Sequence, residues 1–81
     1  MRNKVIHFTT YDLNLSAVLL CENIPLVKIT KNEDKKALFH FEHTEKLNKL
    51  LQDYWDQKLK VNPQELFSNL KQLKNRIYSN Y

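Results

Sequence analysis

Eighty-one residues with a net charge of +4 and no glycine make a single domain, residues 1–81, with one small core; a chain this short buries only about 60–65% of the surface it exposes when unfolded. Without glycine there is no P-loop, no dinucleotide-binding turn and no glycine-rich phosphate cradle, since each needs a residue lacking Cβ for close backbone approach. No apolar run approaches the roughly 20 residues that span a bilayer, the run after Met1-Arg2-Asn3-Lys4 is too short for a signal peptide, and the single Cys21 leaves no internal disulfide framework, so the expected location is the cytoplasm and no membrane partner is expected.

Residues 5–9 alternate as a short strand, with Ile6 and Phe8 on one face. Thr9 or Thr10 caps the helix that follows, and Asp12, three after Thr9, completes a pattern like a capping box. Leu13, Ala17, Leu20 and Ile24 recur at helical spacing, and Leu15, Val18 and Leu19 widen the apolar face; a helix this apolar belongs at the centre of the core. Asn23 fits the left-handed position just past the helix, and Pro25 closes it. Residues 26–31 and 37–43 alternate in a strand period, Val27 and Ile29 facing one way on the first, Ala37, Phe39 and Phe41 on the second. The polar stretch 32–35 between them has no glycine, so a four- or five-residue loop around a type I turn fits better than a tight primed turn. Thr44 caps a second helix, with Glu45 in its first turn and Leu47, Leu50, Leu51 and Tyr54 as its apolar stripe. The pattern breaks at residues 58–61. Asn62, Pro63 and Glu65 then stand at N-cap, N1 and N3 of a last helix, whose Leu66, Leu70, Leu73 and Ile77 make one apolar face. The order β-α-β-β-α-α predicts an α+β domain, with helices packed on a three-stranded antiparallel or mixed sheet.

Thr10-Tyr11-Asp12-Leu13-Asn14-Leu15-Ser16-Ala17, then Asp53-Tyr54-Trp55, Val61-Asn62-Pro63, Leu66-Phe67 and the stretch 70–78 resemble a small bacterial and phage family of unknown function. That family has a Thr-x-Asp-Leu-x-Leu start and a Tyr-Trp…Pro-x-x-Phe-Phe…Leu-Lys-x-x-Ile-Tyr end. The resemblance covers residues 9–78 and departs from the pattern at Leu66, where the family has an aromatic. It implies no activity. It implies a phage, plasmid or mobile-element context, in which small basic accessory proteins and host-defence inhibitors are both common.

The charge is unevenly placed. Residues 1–56 hold eight basic and eight acidic side chains, while residues 57–81 hold Lys58, Lys60, Lys71, Lys74 and Arg76 against Glu65 alone. Tyr54-Trp55 stands just upstream, and Phe67, Tyr78 and Tyr81 are interleaved with the cations. A basic, aromatic-rich terminal helix on a neutral platform points to an anionic partner, with nucleic acid first among them; the bland alternative is a solvated helix edge whose cations favour the C-terminal dipole. Lys71, Lys74 and Tyr78 share one edge of the helix, Lys58 and Lys60 sit in the connector, and Arg76 points away from Lys74. The expected function is therefore that of a non-enzymatic accessory protein binding nucleic acid, single-stranded DNA favoured over duplex because no recognition-helix fingerprint is present. Lys58, Lys60, Lys71, Lys74 and Arg76 would meet phosphates, and Trp55 and Tyr78 would stack on bases. Trp55 has a structural alternative, packed beneath the last helix with its indole N–H on a backbone acceptor. The alternative function is a protein-interaction module, a subunit or inhibitor in a replication or host-defence (anti-CRISPR-like) complex, using a strand edge or the aromatic end of the last helix against a larger protein. A homo-oligomer is compatible with either reading.

Other constellations are weak. His40 and His43 fall on opposite faces of a strand, so no metal site is expected, and no cofactor. Cys21 reads as a buried thiol in an apolar helix. Asp53 and Asp56, a turn apart, sit among Lys49 and Gln57 with nothing to raise either pKa, so no catalytic residue is expected.

Overall fold

The computed structural model describes residues 7–79. The elements follow in the expected order: β1 (His7–Thr10), α1 (Leu13–Cys21), β2 (Leu26–Lys31), β3 (Ala37–Glu42), α2 (Glu45–Trp55) and α3 (Pro63–Ser79). Val5 and Ile6 of the predicted first strand, and Tyr81, lie outside the described residues. The sheet is wholly antiparallel in the order β1-β3-β2, which puts β3 in the middle. Among the described residues no helix is long and apolar enough to cross a membrane.

Strand pairing fixes which side chains share the inner face. Phe8 and Leu26 both stand opposite Phe41, and Thr10 and Ile29 both stand opposite Phe39. Phe39 and Phe41 are fully buried, and each contributes roughly 1.5–3 kcal/mol by leaving water. Val27 does not join Ile29 on that face, as its alternation predicts. The β2–β3 register shifts between Leu26 and Lys28, so Val27 is an extra residue in a bulge. The bulge turns Leu26 inward with Ile29 and leaves Val27 47% exposed.

α1 is the central helix that its composition predicts. Leu15, Ser16, Ala17, Val18 and Leu19 are buried in succession, so the helix is covered all round, with α3 packed along it and β1 beside it. Its N-cap is Asp12 rather than Thr9 or Thr10. Thr10 is still paired across to Phe39, so the chain cannot enter the helix there. The Asp12 carboxylate accepts from Leu15 N–H at 3.0 Å, and the Thr10 hydroxyl steadies it by accepting from Asp12 N–H at 3.0 Å. Buried Ser16 is satisfied by donating to the Asp12 carbonyl at 2.8 Å. At the other end Asn23 takes φ 65, as expected. The Ile24 N–H donates to Leu19 O and the Asn23 N–H to Leu20 O, both at 3.0 Å, which is a Schellman closure with Ile24 turned into the core.

α2 and α3 close the core from the outside through Leu47, Leu50 and Leu73. Thr44 caps α2 by accepting from Leu47 N–H at 3.1 Å. Asn62 caps α3 by accepting from Gln64 N–H at 2.8 Å and Glu65 N–H at 3.1 Å, and Pro63 opens that helix. α3 is tied to α1 by Asn69, whose Nδ2 donates to Ala17 O at 3.3 Å and lies 3.2 Å from Cys21 Sγ.

Candidate nucleic-acid interface

The edge of α3 away from the core carries Phe67, Lys71, Lys74 and Tyr78, spaced four, three and four residues apart. All four are exposed, Phe67 by 66% and Tyr78 by 79%. Glu65, in the first turn of α3, is six residues before Lys71 and on another side of the helix, and no acidic residue of α3 follows it. Arg76 is also exposed but projects from another side of the helix, two positions on from Lys74. Phe67 is a member of this row that the charge argument did not assign to the site.

Tyr78 reaches a second group of cations that the segment charge count conceals. An open groove of about 420 Å³ runs between the tip of the β2–β3 hairpin, the entry to α1 and the end of α3. Lys31, Lys35 and Lys36 line it from the hairpin, Tyr11 from the α1 entry and Tyr78 from α3, over a floor that includes Ile77 and Phe39. Glu33 and Asp34 at the turn cancel the hairpin's charge in the sequence, yet neither lines the groove. A cluster of Lys around a predicted turn was the available signal, and averaging over residues 1–56 erased it.

The hairpin tip is tightly built. Five residues, 32–36, join β2 to β3 around a type I turn, as the sequence predicts, and Lys35 adopts φ 65. Lys35 N–H donates to Asn32 O at 2.9 Å and Asn32 N–H to Lys36 O at 3.0 Å, the pattern of a type I turn followed by one left-handed residue. The Asn32 side chain locks the arrangement: its Oδ1 accepts from Lys36 N–H at 2.9 Å, and its Nδ2 donates to the Tyr11 hydroxyl at 3.3 Å. Thus one asparagine connects the lysine-bearing turn to an aromatic wall of the groove.

Trp55, Lys58 and Lys60 stand elsewhere. They precede α3, and Tyr78 lies near its far end; the helix has 17 residues, about 25 Å at 1.5 Å per residue. The seven predicted contact residues therefore do not form one patch. Trp55 does not pack beneath α3 either. It is 65% exposed and meets Tyr54 edge-on, with ring centroids 5.1 Å apart at 78°. α2 ends in a Schellman closure at Gln57 (φ 60), with Lys58 N–H donating to Asp53 O at 2.9 Å and Gln57 N–H to Tyr54 O at 3.1 Å. Tyr54 turns inward and, with Val18, Gln57, Leu59 and Val61, lines a pocket of about 250 Å³. Burial pushes the Tyr54 phenol above its usual pKa, and the Asp12 carboxylate adds to the effect.

The remaining polar groups are held structurally. Burial raises the Cys21 thiol above its usual value; the Asn69 hydrogen bond opposes this, and Glu65 and Glu22 add to it. Such a thiol is a poor nucleophile. His40 is held below its usual pKa by burial, then by Lys28 and His7; its Nε2 lies 2.8 Å from the Thr30 hydroxyl, and the His7 ring sits edge-on at 6.3 Å. Asp56 accepts from Gln52 Nε2 at 3.0 Å. Among the described residues no three His, Cys, Asp or Glu side chains gather as they would around a metal.

Fold and surface define a small α+β domain with a groove lined by lysines and tyrosines. The chain belongs to the family described as a domain of unknown function, DUF5659, which it matches over residues 6–79. No curated protein and no solved structure is similar enough to count as a match.

Proposed function

We propose that this domain is a non-enzymatic accessory protein that binds single-stranded nucleic acid, in the groove between the hairpin tip and the end of α3. The observation that carries this reading is the meeting of Lys31, Lys35 and Lys36 with Tyr11 and Tyr78 around one open groove of about 420 Å³. Lysines answer phosphates, and exposed tyrosine rings answer unpaired bases of any sequence. The groove is open rather than shielded, which suits a polymer passing through better than a reaction kept from water.

Fluorescence anisotropy with a labelled single strand and its duplex, at low and near-physiological salt, tests the proposal. Binding is expected to favour the single strand and to weaken steeply with salt, with log K falling by about 0.7 per phosphate contact for each tenfold rise in salt. Lys35→Glu with Lys36→Glu should reduce affinity by about tenfold or more, whereas Lys58→Glu with Lys60→Glu, at the far end of α3, should change it little. Equal losses from the two pairs would reject the groove as the site. Binding seen only at the lowest salt would favour the second reading, a protein-interaction module. That reading draws on Trp55, 65% exposed beside the pocket of Tyr54, Leu59 and Val61.

A further inference from the structure

The groove has an exit along α3. Tyr78 lines the groove and also ends the exposed row Phe67, Lys71, Lys74, Tyr78. The row runs ring, two cations, ring, and its side chains share one edge of the helix. Phe67 is the anomaly: a phenylalanine 66% exposed has no packing role there, and the core face is already supplied by Leu66, Leu70, Leu73 and Ile77. Phe67 and Tyr78 are eleven residues apart, about 16 Å along the axis. At about 3.4 Å per stacked nucleotide, roughly five nucleotides bridge that distance.

We propose that a nucleic-acid single strand seated in the groove continues along the outer edge of α3, stacking one base on Tyr78 and another on Phe67, with Lys71 and Lys74 on the phosphates between. The inference rests on the single-strand reading above and adds to it a second stacking station and a dependence on strand length. The absence of acid after Glu65 keeps the row's charge complementary to the strand over its whole run. Trp55 lies before the other end of α3 and is not part of the track.

The test is a length series of oligothymidylates, about three, six and twelve nucleotides long, against the unaltered protein, Tyr78→Ala and Phe67→Ala. Both rings are exposed, so both variants should keep the unaltered circular dichroism spectrum and melting temperature. Tyr78→Ala should weaken binding at every length. Phe67→Ala should weaken the longest oligonucleotide by about fivefold or more and leave the shortest unchanged, because only a strand long enough to reach the second ring can lose it. A Phe67→Ala effect that is absent, or equal at all lengths, overturns the track while leaving groove binding in place. A poly-glutamate peptide that competes as well as the longest oligonucleotide also overturns it, since stacking would then contribute nothing. No salt-dependent binding by the unaltered protein at any length overturns the single-strand reading and the track together.

Discussion

Among the described residues three hold left-handed backbone, in a chain that has no glycine: Asn23, Lys35 and Gln57. Asparagine tolerates that region; lysine and glutamine crowd Cβ against the following carbonyl at about 1 kcal/mol or more. Gln57→Gly is accordingly expected to raise stability by about 0.5–1 kcal/mol, read as a higher urea midpoint with an unchanged slope. Lys35→Gly should stabilise similarly but remove a cation from the groove, so its higher midpoint should come with weaker binding to a single strand, and a gain in both would argue against Lys35 as a contact. His40 supplies a pH dependence. Its folded pKa lies below the unfolded value of about 6.5, so the unfolded chain binds the extra proton first on acidification. Stability should therefore fall as pH drops from about 7.5 through 6.5 towards the folded value, and His40→Gln should flatten that part of the melting-temperature profile. An unchanged slope would mean that another group is responsible.

At the scale of elements, α3 combines two jobs on two faces. Leu73, 1% exposed, anchors the inner face, while the cations and rings occupy the outer edge. Leu73→Ala should cost about 2–5 kcal/mol. A domain of this size holds only roughly 4–12 kcal/mol in all, so a large drop in urea midpoint or outright unfolding is expected. Local signals made the helices legible in the sequence: Thr44, Asn62 and Pro63 act where their chemistry places them, and the Leu66-Leu70-Leu73-Ile77 spacing names the buried face. Trp55 was not legible. It sits at the rim of the α2 stripe, and its burial depended on how the connector leaves Gln57, a tertiary fact that no spacing rule contains. Val27 was misread for a related reason: strict alternation cannot foresee an inserted residue, because the bulge is defined by the partner strand's register.

At the scale of the whole molecule, the fold could be read from the chain but half of the candidate site could not. Lys71, Lys74 and Tyr78 are close in sequence and stayed together. Lys31, Lys35, Lys36 and Tyr11 join Tyr78 only because the hairpin tip, the α1 entry and the end of α3 converge at one corner. Segment charge hid them, since Glu33 and Asp34 balance the lysines in the sum although neither lines the groove.

The bulge at Val27 has an effect beyond aiming side chains. β2 is an outermost strand of the sheet, the place where a stray chain could add itself and begin an aggregate. A kinked, more strongly twisted border offers no flat run of backbone for an incoming strand to zip along, and Lys28 adds a charge beside the kink. One valine out of step thus makes that border a poor template for a further strand, by register alone.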